Sequence, residues 1–281
     1  MPEAPPVPSC RALTATNARQ LERISRNLQN NNIMKNSTKI TLTLFLMIFL
    51  TACTQVKTTP EHNTATQDIT EYDTVIHLPV PQLDGTISVE KALYDRRSQR
   101  RFQDKEISLE NLSQILWAAY GITLPLENPA FLRGGLRTAP SAGALYPLEI
   151  YVAVGKVTGV EPGVYRYIAD GHKMVKIIDE DLREELTSAA WGQKMVEEAP
   201  ASVIYTAIFS RMTNKYGERG RERYVCMDLG HSAQNVYLQA EALGLGTCAI
   251  GAFTDAQVAK LLNLPKEEEP LYIMPIGYYD R

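Results

Sequence analysis

The 281 residues are 44% hydrophobic and 22% charged, which is ordinary for a globular chain and long enough for one or two domains. A net charge of -3 gives no global basis for binding nucleic acid or an anionic membrane, so any basic site has to be local. The four cysteines (Cys10, Cys53, Cys226 and Cys248) form no C-x-x-C pair and the four histidines have no ligand spacing, which argues against a metal site. Cys226 and Cys248 lie in apolar company and are expected to be buried free thiols, with a disulfide open if the compartment is oxidising.

Residues 1–33 are rich in Pro, Asn, Gln and Arg and show no sustained apolar period, so they are expected to be disordered or an extension from a misassigned start. Met34 makes a better start. Lys35 and Lys39 supply a positive region, Ile40 to Leu50 an apolar core, and Leu50-Thr51-Ala52-Cys53 a closing motif. The core is too short for an ordinary membrane span and fits a signal peptide over 34–53. Its ending resembles the lipobox of bacterial lipoproteins, which implies lipidation of Cys53 and export to a membrane surface. An uncleaved anchor or a short buried segment is the alternative, with a cytoplasmic location if the signal is not used. Residues 54–85 are expected to form a tether and 86–281 one folded domain.

Within that domain Val89 to Tyr94 has the pattern of a helix. Ser108 is placed to cap another, whose apolar positions Leu109, Leu112, Ile115, Leu116 and Ala119 recur at helical spacing up to Gly121. Leu148 to Val154 is a β-branched apolar run of strand length. Val164–Ile168 and Met174–Ile178 predict a hairpin through Asp170-Gly171. Further on, helices are expected over 179–190, 228–243 and, capped by Thr254, to Leu262, with strands over 201–209, 247–251 and 271–278. Trp117 and Trp191 read as core or interface aromatics. The order predicts an α+β fold rather than strict βαβ alternation.

Four segments carry chemistry. Arg96-Arg97-Ser98-Gln99-Arg100 is a compact donor set suited to phosphate oxygens, unless it is a solvated basic face. Thr138 to Pro147, containing Pro140-Ser141-Ala142-Gly143, is a small-residue run that lets backbone approach a flat ligand, or a plain tight connection. Gly244 to Gly251 follows a helix instead of opening one, so it is no dinucleotide fingerprint, and close packing explains it adequately. Lys215 to Tyr224, leading to Asp228-Leu229-Gly230-His231-Ser232-Ala233-Gln234-Asn235, reads alone as a charged loop before a helix.

Taken together and in this order, these segments resemble the nitroreductase-like flavoproteins, and among them the SagB/ThcOx-type dehydrogenases. The resemblance covers about residues 86–281. It implies a mixed central sheet flanked by helices, an intertwined homodimer and noncovalent FMN at the subunit interface. Arg96, Arg97, Ser98 and Arg100 would then hold the phosphate end, with Arg281 as a further basic contact. Pro140, Ser141, Ala142 and Gly143 would meet the ring from the partner subunit, and Ala249, Ile250 and Gly251 would back it. Lys215 and Tyr216 match the pair associated with removing a proton while a hydride leaves a peptide-like or small substrate.

A lysine serves as a base only if burial or a nearby cation lowers its pKa, a field Arg219, Arg221 and Arg223 would supply if folded nearby. Otherwise Lys215 is a solvent-facing lysine and Tyr216 a packing residue. His231 is expected to be structural, and Asp228 and Asn235 to cap or cross-link their helix. The alternatives are an NAD(P)H-dependent nitro or quinone reductase, and a flavin-binding lipoprotein without turnover.

Overall fold

The computed structural model describes residues 74–280, so the expected extension, signal segment and lipidated Cys53, most of the tether, and Arg281 lie outside the described residues. Among the described residues nine strands and seven α-helices follow one another as β1 (Val75–His77), α1 (Val89–Asp95), α2 (Leu109–Tyr120), β2 (Ile122–Pro125), β3 (Gly135–Arg137), β4 (Leu148–Val154), β5 (Gly163–Ile168), β6 (Lys173–Ile178), α3 (Arg183–Ala189), α4 (Met195–Glu198), β7 (Ala201–Ile208), α5 (Ser210–Tyr216), α6 (Val225–Ala242), β8 (Gly246–Thr247), α7 (Asp255–Leu261) and β9 (Glu268–Gly277). A π-helical turn, Gly220–Tyr224, joins α5 to α6.

The main sheet has seven strands in the order β1-β6-β5-β4-β7-β9-β8. Each named neighbour is antiparallel, which refines the expectation of a mixed sheet; parallel pairing is confined to isolated bridges such as Ser98 with Thr247. β4 is apolar at every position but Glu149 because both its faces are covered. Ile150, Val152 and Val154 point into a core shared with Leu112 and Leu116 of α2 and Ala233 and Val236 of α6. Tyr151 and Ala153 point the other way, to Leu186 of α3, Val196 of α4 and Val258 of α7. A period of two on a doubly buried strand produces this division.

Several expectations shift. β1 pairs with β6 inside the stretch expected to be tether, so the fold begins before residue 86. Of the expected 247–251 strand only Thr247 lies in one, beside Gly246 in β8, and Ile250 makes a single bridge to Ile273. Ser108 caps α2 as expected, accepting from Asn111 N. Thr254 Oγ1 instead accepts from Trp191 Nε1 at 3.2 Å, without a side-chain cap on α7. Trp191 is 69% exposed, so it is no core residue, whereas Trp117 is half-buried. Cys248 is a buried free thiol, but Cys226 is free and exposed. Successive helical residues are turned by about 100°; Val225 takes the core face of α6 and leaves Cys226 and Met227 outside.

Candidate active site

The arginine cluster begins where α1 ends. Ser88 caps that helix by accepting from Lys91 N, and Arg96 is its C-cap. The chain then runs beside β8, with Gln99 N donating to Thr247 O at 2.9 Å. Gly246 permits this approach, since a Cβ there would stand 2.7 Å from Gln99 side-chain carbons. Ser98 Oγ lies 3.1 Å from Tyr237 Oη, and Ala249 N donates to the same phenol oxygen at 2.8 Å. Arg96 stacks on the Tyr237 ring at 5.1 Å. Tyr237 of α6 thus joins the Arg96–Arg100 and Ala249–Gly251 segments into one pole. Sequence reasoning missed it, because its spacing in the helix marked it only as an apolar-face residue.

The three arginines are not equivalent. Arg97 Nη1 turns back to the carbonyls of Tyr94 and Arg96, at 2.9 and 2.8 Å, and so serves the end of α1. Arg96 and Arg100 form no ion pair among the described residues. Two guanidinium groups outside any ion pair, with a hydroxyl beside them, are a donor set that fits a phosphate monoester such as that of FMN. In the segment expected to back the ring, Ile250 is buried, Ala249 half-buried and Gly251 exposed.

The small-residue loop is a second pole, held by Asp228. Ser141 Oγ donates to Asp228 Oδ2 at 2.5 Å and Ala142 N to Oδ1 at 3.2 Å. Asn235 Nδ2 donates to Thr138 O at 3.3 Å, so both α6 residues cross-link the helix to the loop. Gly143, Ala144 and Tyr146 all have left-handed backbone, with φ of 63°, 55° and 47°. Such conformations in non-glycine residues persist only where the surroundings enforce them. Here Arg133 donates to the carbonyls of Leu145 and Tyr146.

Asp228→Ala leaves two donors unpaired and is expected to cost about 1–3 kcal/mol, read from denaturant midpoints. Burial raises the Asp228 carboxyl above its ordinary value, against the lowering effect of the Ser141 and Ala142 hydrogen bonds. The folded chain therefore binds this proton more tightly than the unfolded one, and the group's stability contribution falls as pH rises through the raised pKa. The wild-type-minus-D228N stability difference should carry that slope; a flat difference contradicts it.

Lys215 and Tyr216 sit at the end of α5, a helix where a charged loop was expected. A Cβ built on Gly143 would stand 2.6 Å from Tyr216 Oη and 3.1 Å from Lys215 Nζ. The fold therefore brings Lys215 Nζ and Tyr216 Oη together beside Gly143. Tyr216 packs edge-on against Tyr224 at 4.9 Å, whose hydroxyl accepts from Arg219 Nε at 2.9 Å. Arg221 is committed to a bidentate pair with Glu269 and stacks on Phe209, so its charge is compensated away from the lysine. His231 is exposed.

The two poles occupy different faces of α6. Asp228 and Asn235, seven residues apart, share a face, whereas Tyr237 is nine residues from Asp228 and so about 180° around and about 13 Å along the axis. Among the described residues no hydrogen bond or ring contact joins Lys215 or Tyr216 to Arg96–Arg100.

Residues 93–278 match the model of the nitroreductase family. A relative from Methanocaldococcus jannaschii with the provisional name nitroreductase is 45% identical over 202 residues, covering 72% of this chain and 96% of its own. The microcin B17-processing protein McbC of Escherichia coli is 27% identical over 183 residues, and the match spans 63% of this chain and 64% of McbC. A solved structure from Ralstonia eutropha, also provisionally named a nitroreductase, superposes with a TM-score of 0.62 at 31% identity, covering 74% of this chain and 90% of that one. The family match spans both poles of the site, and the chain belongs to the nitroreductase family.

Proposed function

We propose that the protein is an FMN-dependent oxidoreductase of SagB type that dehydrogenates a peptide-like or small substrate. The observation that carries this reading is the convergence of Lys215 Nζ and Tyr216 Oη on Gly143, the residue expected to lie against the flavin ring. Arg96, Arg100 and Ser98 bind the phosphate, and Ala249–Gly251 and Pro140–Gly143 enclose the ring. Bound FMN supplies the two-electron acceptor. Dehydrogenation also releases a proton, which Lys215 Nζ is placed to accept while Tyr216 Oη orients the substrate.

The opposed poles on α6 support a homodimer in which one chain's arginine pole meets the other's ring loop. Apolar side chains exposed around α1, among them Val80, Leu83, Val89 and Leu93, give a second copy a surface to cover. The proposal keeps the lipid anchor on Cys53 and export to a membrane surface. The M. jannaschii relative's name favours a second reading, an NAD(P)H-dependent nitro or quinone reductase.

Purified protein titrated with FMN separates these. Under the first reading it sediments as a dimer, retains flavin, and is bleached by an azoline-containing peptide but only slowly by NAD(P)H. Rapid bleaching by NAD(P)H alone decides for the reductase. Failure to retain flavin rules out both enzymes.

A further inference from the structure

Glu149 stands two residues beyond Pro147 on β4, where its carboxylate is met by guanidinium groups from two elements. Arg211 Nη1 of α5 reaches Oε1 at 2.5 Å, and Arg166 Nη2 of β5 reaches Oε2 at 3.0 Å. Glu149 is only 14% exposed at its side chain and Arg211 22%. Burial would raise the Glu149 carboxyl, but Arg211 and Arg166 hold it below its ordinary value, so it remains an anion at neutral pH. Arg211 Nη1 also lies 3.4 Å from Tyr146 O, the carbonyl to which Arg133 donates. Burial and the neighbouring Arg211 push Arg133 down to about 10, still charged at neutral pH. Two cations thus share one carbonyl at the left-handed end of the ring loop, and Glu149 is the anion that lets them coexist.

We propose that Arg211 and Glu149 are positioning residues, which lock the first turn of α5 to the end of the 141–146 loop and so hold Lys215 and Tyr216 over Gly143. The inference rests on the roles given to that pair above. Arg211 precedes Lys215 by four residues, about 6 Å along a helix. A displacement at this root is therefore carried to the lysine within a single turn. Arg166 supplies the contrast: it binds the same carboxylate from β5, and among the described residues none of its hydrogen bonds or ion pairs goes to α5 or the loop.

The test compares R211M, R211K and R166M. Hydrogen exchange of segments 141–146 and 210–216 is measured in the cofactor-free chain, and kcat, KM and Tm in the flavin-loaded one. In R211M both segments should exchange about tenfold faster together, and kcat should fall about tenfold or more with KM within about twofold, since small misplacements of reacting groups are costly. R211K, which keeps the charge, should recover part of both effects. R166M should lower Tm while leaving exchange at 210–216 and kcat near wild type. Faster exchange in R211M confined to α5, or an equal loss of kcat in R166M, reduces the pair to a structural role and overturns the proposal. If R211M does not fold, R211K against R166M decides on the same two readouts. Should wild-type protein bind no FMN, the proposed function fails, while the exchange comparison still decides whether Arg211 couples α5 to the loop.

Discussion

Lys215→Ala is expected to lower kcat by about 10²-fold or more with FMN still bound, the usual range for removing a positioned acid–base group. The lysine is exposed and its ammonium lies beside Gly143, where neither the sheet nor either core depends on it. Its loss should therefore leave folding and flavin affinity nearly unchanged. Lys215→Arg retains the charge and reach but cannot release its proton at neutral pH, so it should be as inactive as the alanine variant. Tyr216→Phe keeps the edge-on contact with Tyr224 and removes only the hydroxyl, giving a smaller loss. Rapid-reaction traces of flavin reduction, taken at saturating substrate, measure the step directly. Unchanged reduction in Lys215→Ala removes the base assignment, and activity in Lys215→Arg shows that charge rather than proton transfer is what the reaction uses.

The second large effect is on flavin affinity. Arg96→Ala and Arg100→Ala should each weaken FMN binding by about 10- to 100-fold, as expected for one charge-assisted hydrogen bond worth about 1.5–3 kcal/mol. Arg97→Ala should change it by less than about threefold, because that guanidinium is occupied by the Tyr94 and Arg96 carbonyls. Tyr237→Phe falls between these, since it removes the link between Ser98 and Ala249 without touching a charge. Fluorescence quenching titrations give the four constants. Equal losses for all three arginines would mean that Arg97 leaves the end of α1 to join the site.

Much of the architecture was legible from local pattern. Leu148–Val154 is apolar at every position but Glu149, and forms the predicted strand because both faces are buried. The Asp170-Gly171 turn places the β5–β6 hairpin, with Gly171 at a φ of 74°. What escaped sequence reading has little local signature. α5 carries Lys215 exposed and Tyr216 half-buried, so it presents no apolar stripe and was taken for loop. β1 is only three residues long and sits at a sheet edge, too short for a period to show in its sequence. At the site, motif order pointed to the right segments but not to their grouping. Tyr237 and Glu149 act through partners far away in the chain, and nothing adjacent to either residue announces that contact.

Tyr237 also makes the cofactor a variable of folding. One phenol ties together the pole that would hold the phosphate and the segment that would back the ring, and it stands on the same helix whose other face secures the ring loop. A ligand seated there binds only the assembled arrangement, so it should stabilise the chain as RT ln(1 + [L]/Kd), with a melting temperature that climbs with free FMN. Variants that loosen α6 would then be rescued by excess flavin, and their apparent inactivity at low flavin would be a matter of occupancy rather than of chemistry.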